Sequence, residues 1–196
     1  MGYQCSFSVL QAGQFGVPQK RRRLIILAAA PGEKLPLFPE PQHVFFLSEA
    51  PQSVWIDGVL YEPNTRWKNS APYRTVRNLD AIRDLPRIDN DHEQLEMSYQ
   101  QEPVSHFQRE MREGSEKLTG HVPKKLSKLN LERMKKVPPS QDVNALPLSQ
   151  RPPFLAKNPR KGAYGRPSWN GPSGTVTTNQ NPGGRQGEVG HMTQDR

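Results

Sequence analysis

The sequence predicts an α/β chain in which a strand pair comes first and a small, irregular α+β region follows. Three observations carry that reading. Residues 3–9 alternate, with Tyr3, Cys5, Phe7 and Val9 on one side and Gln4, Ser6 and Ser8 on the other, the period-two pattern of a half-buried strand. Residues 24–30 (LIILAAA) are apolar without a break, as a central strand covered on both faces would be. Downstream, short apolar repeats at helical spacing are divided by prolines, 20 of them in 196 residues, so the helices must be brief.

Composition bounds what such a chain can be. Apolar residues make up 33%, and counting glycine brings the share to roughly 41%, below the roughly 45–50% usual for globular domains. Mean hydropathy is −0.82. One continuous core over the whole length is not expected, and polar tracts such as 179–190 have little to bury. The net charge of +8 favours a polyanion, nucleic acid first. The longest apolar run is far too short to span a bilayer, and the N-terminal residues lack the charged and apolar regions of a signal peptide, so no membrane partner is expected. The single cysteine, Cys5, excludes an internal disulfide and fits a reducing compartment. With His43, His92, His106, His121 and His191 scattered, no metal site is expected.

Taken in order, residues 3–9 form the first strand and 11–18 a connection broken by Gly13, Gly16 and Pro18. The turn delivers Arg21-Arg22-Arg23 to the mouth of the second strand, 23–30. Read alone, a charge run is solvated surface. Read with the strand beside it, it is a fixed, permanently charged donor array suited to an anionic or carbonyl-bearing ligand. Pro31-Gly32 turns the chain, and three prolines in 35–43 hold it extended. Residues 44–47 and 54–61 are strand candidates, the second a hairpin about Asp57-Gly58. Val76, Leu79 and Ile82 mark a short helix closed by Leu85-Pro86, and Ser105-His106-Phe107-Gln108 has capping-box form ahead of another. The strongest helix pattern is 124–137, with Leu126, Leu129, Met134 and Val137 on one face and Pro138-Pro139 as its stop. Its other face carries Lys124, Lys125, Lys128, Arg133, Lys135 and Lys136 against Glu132 alone; this is either a phosphate-contacting face or an ordinary amphipathic surface. Residues 138–162 read as loop. Trp169 and the Thr/Val run 175–178 are sheet candidates.

The segments Gly2-Tyr3-Gln4-Cys5 and Val9-Leu10-Gln11-Ala12-Gly13-Gln14-Phe15-Gly16-Val17-Pro18-Gln19-Lys20-Arg21-Arg22-Arg23 closely resemble the Gln-x-Arg-x-Arg region of DNA cytosine-5 methyltransferases. Residues 24–43, including Ala28-Ala29-Ala30-Pro31-Gly32-Glu33-Lys34-Leu35-Pro36-Leu37-Phe38-Pro39-Glu40-Pro41, look like the maintenance-type animal enzymes in particular. Weaker resemblance continues at Thr75-Val76-Arg77, Arg83-Asp84-Leu85-Pro86, Phe107-Gln108-Arg109, His121 and Arg133-Met134 with Val137-Pro138. It returns at Tyr164-Gly165-Arg166, Trp169-Asn170-Gly171, 175–178, Gly187 and His191.

That resemblance implies a fold and a chemistry. The fold is part of an S-adenosylmethionine-dependent methyltransferase sheet, its terminal strand pair, plus a small irregular α+β target-recognition domain. Residues 1–41 correspond to the end of the catalytic core, 42–163 to a shortened target-recognition domain, and 164–196 to an incomplete return toward the core. In the family a cytosine is flipped from the duplex, a cysteine thiolate adds to C6, a glutamic acid engages N3, and C5 takes the methyl group. Carried over, Gln19, Arg21 and Arg23 are the auxiliary residues that contact the flipped cytosine; Lys20 and Arg22 fall between them, point away if the segment is extended, and are open to a phosphate role. Lys124, Lys125, Arg133, Lys135 and Lys136 are the candidate DNA-binding residues, and no residue is assigned to cofactor or metal.

The departures set the expected activity. No Pro-Cys dipeptide supplies a nucleophile, no Glu-Asn-Val triplet supplies the acid, and no Gly-rich loop follows an early strand. The family's cysteine-rich cluster is missing, and Met192 stands where proline is usual. The expectation is a nuclear DNA cytosine-5 methyltransferase part for CpG-type sites, inactive alone, whose full-length form uses S-adenosylmethionine. Its partners are double-stranded DNA and the N-terminal part of the catalytic domain. The alternatives are a non-catalytic basic DNA-binding module and an unstable truncated gene product.

Overall fold

Alternation in 3–9 and the apolar run after the arginines resolve into an antiparallel pair, β1 (Gln4–Gln11) and β2 (Arg22–Ala29). The register runs from Gln4↔Ala29 to Gln11↔Arg22. The computed structural model describes residues 2–45, 54–61, 71–158 and 162–176. These fall into two units, Met1–Thr75 and Val76–Arg196.

In the first unit the ladder puts Ser6, Ser8 and Leu10 with Arg23, Ile25 and Leu27 on one face, and Cys5, Phe7, Val9 and Gln11 with Arg22, Leu24, Ile26 and Ala28 on the other. Ser8 and Ala29 are buried, whereas Leu24 and Ile26 are 58% and 64% exposed. The expectation of a central strand is therefore not met among the described residues. β2 pairs with β1 alone, and its apolar content exceeds what its surroundings cover. A 3₁₀ turn, Ala12–Phe15, leads out of β1, and Gly16 closes it in the left-handed conformation at φ 87°. After β2, Glu33 N–H donates to the Ala30 carbonyl at 3.0 Å with Gly32 at φ 88°. The proline-rich stretch then runs extended, burying Phe38, and His43 bridges in parallel to Tyr73. The Asp57-Gly58 signal gives the expected hairpin, β3 (Val54–Ile56) with β4 (Val59–Tyr61). Both turn residues have positive φ, 49° and 78°, as a type I′ turn requires. The strand candidate 44–47 lies partly outside the described residues.

In the second unit, α1 (Asn78–Ile82) and α2 (His106–Arg112) form where the spacing placed them. Ser105 caps α2, its Oγ accepting from Gln108 N–H at 3.0 Å while Gln108 Oε1 accepts from Ser105 N–H at 3.2 Å. Two short strands not expected, β5 (Glu96–Met97) and β6 (Leu118–Thr119), pair antiparallel with each other. α3 is shorter than its pattern, Lys128–Lys136. Asn90 holds Leu126 extended, taking its N–H at 2.8 Å and donating to its carbonyl at 3.1 Å, so the helix starts only after the Ser127 cap. Leu129 is exposed, and Leu131 packs on the core in its place.

Residues 138–162, expected as loop, hold much of the core. Two 3₁₀ turns (Val143–Ala145, Leu148–Gln150) and α4 (Pro153–Lys157) bring Val143, Leu146 and Leu155 against Leu126, Met134, Val137, Ala163 and Tyr164. Polar side chains fix this fold-back. Asp142 accepts from Asn144 N–H and Gly162 N–H at 2.8 and 2.7 Å. Arg151 donates to the Leu146 and Asn144 carbonyls at 2.7 and 2.6 Å, and buried Arg166 donates to the Val137 carbonyl at 2.8 Å. Trp169 and residues 175–176 form no strand; 177–178 lie outside the described residues. The return segment instead wraps the start of α1. Asn78 N–H and Leu79 N–H donate to the Gly171 and Trp169 carbonyls, Asn78 Nδ2 donates to the Ser168 carbonyl, and Ser173 Oγ donates to Asn78 Oδ1.

Candidate functional site

The three motif residues sit where the first strand pair frays into its connection. Gln19 lies on the turn, its N–H donating to the Val17 carbonyl at 2.7 Å. Arg21 lies one residue before β2. Its carbonyl accepts from Ala12 N–H at 2.9 Å, and its N–H donates at 2.7 Å to the side-chain Oε1 of Gln11, a residue only 4% exposed. Arg23 is the second residue of β2, opposite Leu10, exposed, with Nη1 donating to the Arg22 carbonyl. Because side chains alternate along an extended chain, Arg21 and Arg23 share one side and Arg22 takes the other.

A strap of main chain fixes this turn from outside. Gln42 N–H and His43 N–H both donate to the Gln14 carbonyl, at 2.9 and 3.0 Å. The strap is held in turn by Tyr73 and Arg74: Val44 N–H donates to the Tyr73 carbonyl, and the His43 ring meets the Arg74 carbonyl through Nδ1 at 2.8 Å and lies tilted beside the Tyr73 ring, centroids 5.4 Å apart. Both connection glycines are consumed by this packing. A Cβ on Gly13 would fall 2.1 Å from the Phe45 ring, and one on Gly16, besides its positive φ, 3.1 Å from His43 Nε2. Gly13 and Gly16 therefore do not form an open cradle for a cofactor such as S-adenosylmethionine. Among the described residues no three His, Cys, Asp or Glu side chains converge as a metal site, and no helix is long and apolar enough to cross a membrane.

Cys5 pairs with Ala28, on the face opposite Arg23. Five residues of strand separate it from the Arg23 level, about 17 Å at about 3.3 Å per residue, so its thiol lies well away from the Arg23 end of the strand pair.

The second cluster lies on the other unit. Lys124 and Lys125 precede α3 instead of lying on its face, and Arg133, Lys135 and Lys136 occupy its last turn, where cations meet the negative end of the helix dipole. Lys125 is paired with Asp91 at 2.7 Å. The hydrogen bond to that carboxylate, then its charge, raise the Lys125 ammonium above the ordinary lysine range. Lys135 meets Glu132 at 3.3 Å, and Arg133 donates to Asn130 Oδ1 at 3.3 Å. The basic face is thus more compensated than Glu132 alone would make it. Lys124, Lys128 and Lys136 are exposed.

Gln11 was not among the expected site residues, although a signal was present. It stands in phase with Cys5, Phe7 and Val9, a polar residue where the strand pattern calls for an apolar one.

Comparison with known proteins agrees with the motif. The model of the family "C-5 cytosine-specific DNA methylase" matches residues 1–181, and the chain belongs to that family. It is 51% identical over 151 residues to DNA (cytosine-5)-methyltransferase PliMCI of Paracentrotus lividus, covering 75% of this chain and 9% of that protein. It is 37% identical over 257 aligned positions to DNA (cytosine-5)-methyltransferase 1 of Gallus gallus, covering 100% of this chain and 17% of that protein. The Mus musculus DNA (cytosine-5)-methyltransferase 1 is 48% identical over 151 residues, 75% of this chain and 9% of that protein. The chain therefore spans under a fifth of the length of each of these relatives. The chicken alignment has more positions than this chain has residues, so the chicken protein carries insertions relative to it.

Proposed function

We propose that this chain supplies the cytosine-contacting half of a DNA cytosine-5 methyltransferase site, acting on CpG-type DNA in the nucleus. The observation that carries the reading is the clamped turn, which sets Arg21 and Arg23 on one side of an extended segment with Gln19 beside them. A base swung out of the duplex and placed against that side would meet two permanent cations. When a thiolate adds to C6, negative charge develops on the pyrimidine ring and its O2. A pre-positioned guanidinium stabilises that charge without reorganising at the moment of reaction. Gln19 adds an amide that can both donate and accept to the base edge.

The same reading divides the chain as the resemblance does: 1–41 the end of the catalytic core, 42–163 a shortened target-recognition domain, 164–196 the return segment. The strand pair belongs to a methyltransferase sheet completed by the N-terminal part of the catalytic domain, a reading supported by the exposed Leu24 and Ile26 of β2. Lys124, Lys125, Arg133, Lys135 and Lys136 contact phosphates. S-adenosylmethionine supplies the methyl group to the full-length enzyme; this chain does not hold it, and with neither nucleophile nor acid it transfers no methyl group alone.

The test is a binding comparison by fluorescence anisotropy. One duplex carries its target cytosine opposite an abasic site, the other opposite guanine. Unpairing a base costs a few kcal/mol, and the first duplex has already lost the pair, so the chain is expected to bind it about tenfold or more tightly. Arg21→Ala with Arg23→Ala should abolish the preference while leaving salt-dependent binding to either duplex. Equal affinity of the unmodified chain for both duplexes would remove the cytosine-contacting role. It would leave the second reading, a basic DNA-binding module, which the exposed lysines beside and on α3 favour.

A further inference from the structure

We infer that Gln11 is a positioning residue for the cytosine-contacting arginines, acting through the Arg21 peptide; the inference rests on the cytosine-contacting reading above. The ladder between β1 and β2 ends at the Gln11↔Arg22 pair, because β1 then curls into the 3₁₀ turn Ala12–Phe15. One residue further on, Arg21 would be left with an N–H that has no strand opposite it, and a half-buried main-chain donor needs a partner. Gln11 provides it with its own side chain, Oε1 accepting from Arg21 N–H at 2.7 Å, while Ala12 N–H donates to the Arg21 carbonyl at 2.9 Å. The two bonds prolong the ladder by one residue after the strand has ended. They hold Arg21 extended, so that it keeps the alternation of β2 and projects to the side of Arg23.

The surroundings confine Gln11 to that task. It is 4% exposed, on the face that otherwise carries Cys5, Phe7 and Val9. Its amide lies on the opposite face of the ladder from Arg23, so it acts on the arginine side only through the main chain. An amide buried in an apolar row is costly unless bonded, and the Arg21 peptide satisfies its carbonyl. Without that bond, Arg21 can rotate out of the extended conformation, and its guanidinium leaves the side it shares with Arg23.

Two substitutions separate positioning from packing. Gln11→Met keeps the length and burial of the side chain and removes the acceptor. Gln11→Glu keeps an oxygen at the acceptor position. Each is measured in the whole chain, 15N-labelled, by amide hydrogen exchange of Arg21 without DNA and by the shift of the Arg21 and Arg23 Nε–H signals on titration with the abasic duplex. In Gln11→Met, Arg21 amide exchange is expected to speed about tenfold or more, the loss of roughly one hydrogen bond. The Arg21 Nε–H response to the abasic duplex should be lost while Arg23 still responds, and Gln11→Glu should restore both. Unchanged Arg21 exchange in Gln11→Met overturns the clamp. Faster exchange with an undiminished Arg21 Nε–H response overturns the positioning role. If the unmodified chain shows the protected Arg21 amide but no Nε–H response to the duplex, the cytosine-contacting reading has failed, and the positioning role falls with it.

Discussion

Replacing Leu155 with alanine should cost the second unit of this chain a large share of its stability. Leu155 is fully buried, on the short helix α4, in a cluster completed by Leu126, Met134, Val137, Val143, Leu146, Ala163 and Tyr164. Truncating a buried leucine costs about 2–5 kcal/mol, the higher values where the site cannot collapse. Collapse is hindered here because both flanks are tied by side chain to main chain. Arg151 grips the Leu146 and Asn144 carbonyls on one side, and Asp142 holds the Gly162 N–H on the other. We therefore expect about 3–4 kcal/mol, against a total of about 5–15 kcal/mol for a typical domain. With a urea m-value of about 1–3 kcal/mol/M, the midpoint falls by about 1–4 M. Circular dichroism at 222 nm reports this unit, since all the α-helices among the described residues lie in Val76–Arg196. Phe154→Ala is the control: this neighbour is 51% exposed, and its truncation should move the midpoint by no more than a few tenths of a molar. Equal shifts for the two variants, or none for Leu155→Ala, would refute the claim that Val143, Leu146 and Leu155 belong to a core.

Further outcomes follow from other parts of the structure. Gly13→Ala places a methyl group 2.1 Å from the Phe45 ring and should destabilise the first unit by about 1–3 kcal/mol, read as faster amide exchange through β1 and β2; a neutral effect would mean that the ring does not cover the turn. Reversing Lys124, Lys125, Lys135 and Lys136 to glutamate should weaken duplex binding and flatten its dependence on salt, by about 0.9 in log–log slope for each phosphate no longer neutralised; an unchanged slope removes α3 from the DNA-binding surface. The Lys125–Asp91 pair raises the lysine pKa in the folded chain. The stabilisation it gives is therefore complete below the unfolded lysine value of about 10.4 and lost as pH rises through the folded value. In Asp91→Asn the Lys125 Cε resonance should titrate at lower pH than in the parent, and an equal midpoint would show that the pair does not form in solution.

Local signals were legible and long-range ones were not. The Asp57-Gly58 turn, the Ser105 capping box and the strand at 3–9 each depend on residues within a few positions, and each element stands in the structure where the sequence places it; the burial of that strand does not follow its alternation, since Tyr3 and Cys5 are exposed while Ser8 is buried. The segment 138–162 carries no such period. Val143, Leu146 and Leu155 are unevenly spaced because 3₁₀ turns and polar clamps, instead of a helix or strand, bring them inward. The partners of those clamps include Gly162 and Arg166, up to 29 residues distant in sequence. The helical pattern overruns α3 for a similar reason: Leu126 has the helical phase, but Asn90, 36 residues earlier, captures its main chain. At the motif, the spacing of Gln19, Arg21 and Arg23 pointed to the chemistry by likeness. What holds the turn could not be read there, since Gln42, His43 and Phe45 approach it from a separate stretch of chain.

The division of the active site is tested most directly by methyl transfer from the purified chain, with tritiated S-adenosylmethionine and a hemimethylated CpG duplex. A site that holds cytosine-contacting arginines but neither nucleophile nor acid should give incorporation equal to a blank without protein, under conditions where the chain binds the duplex. Incorporation above that blank would contradict the division.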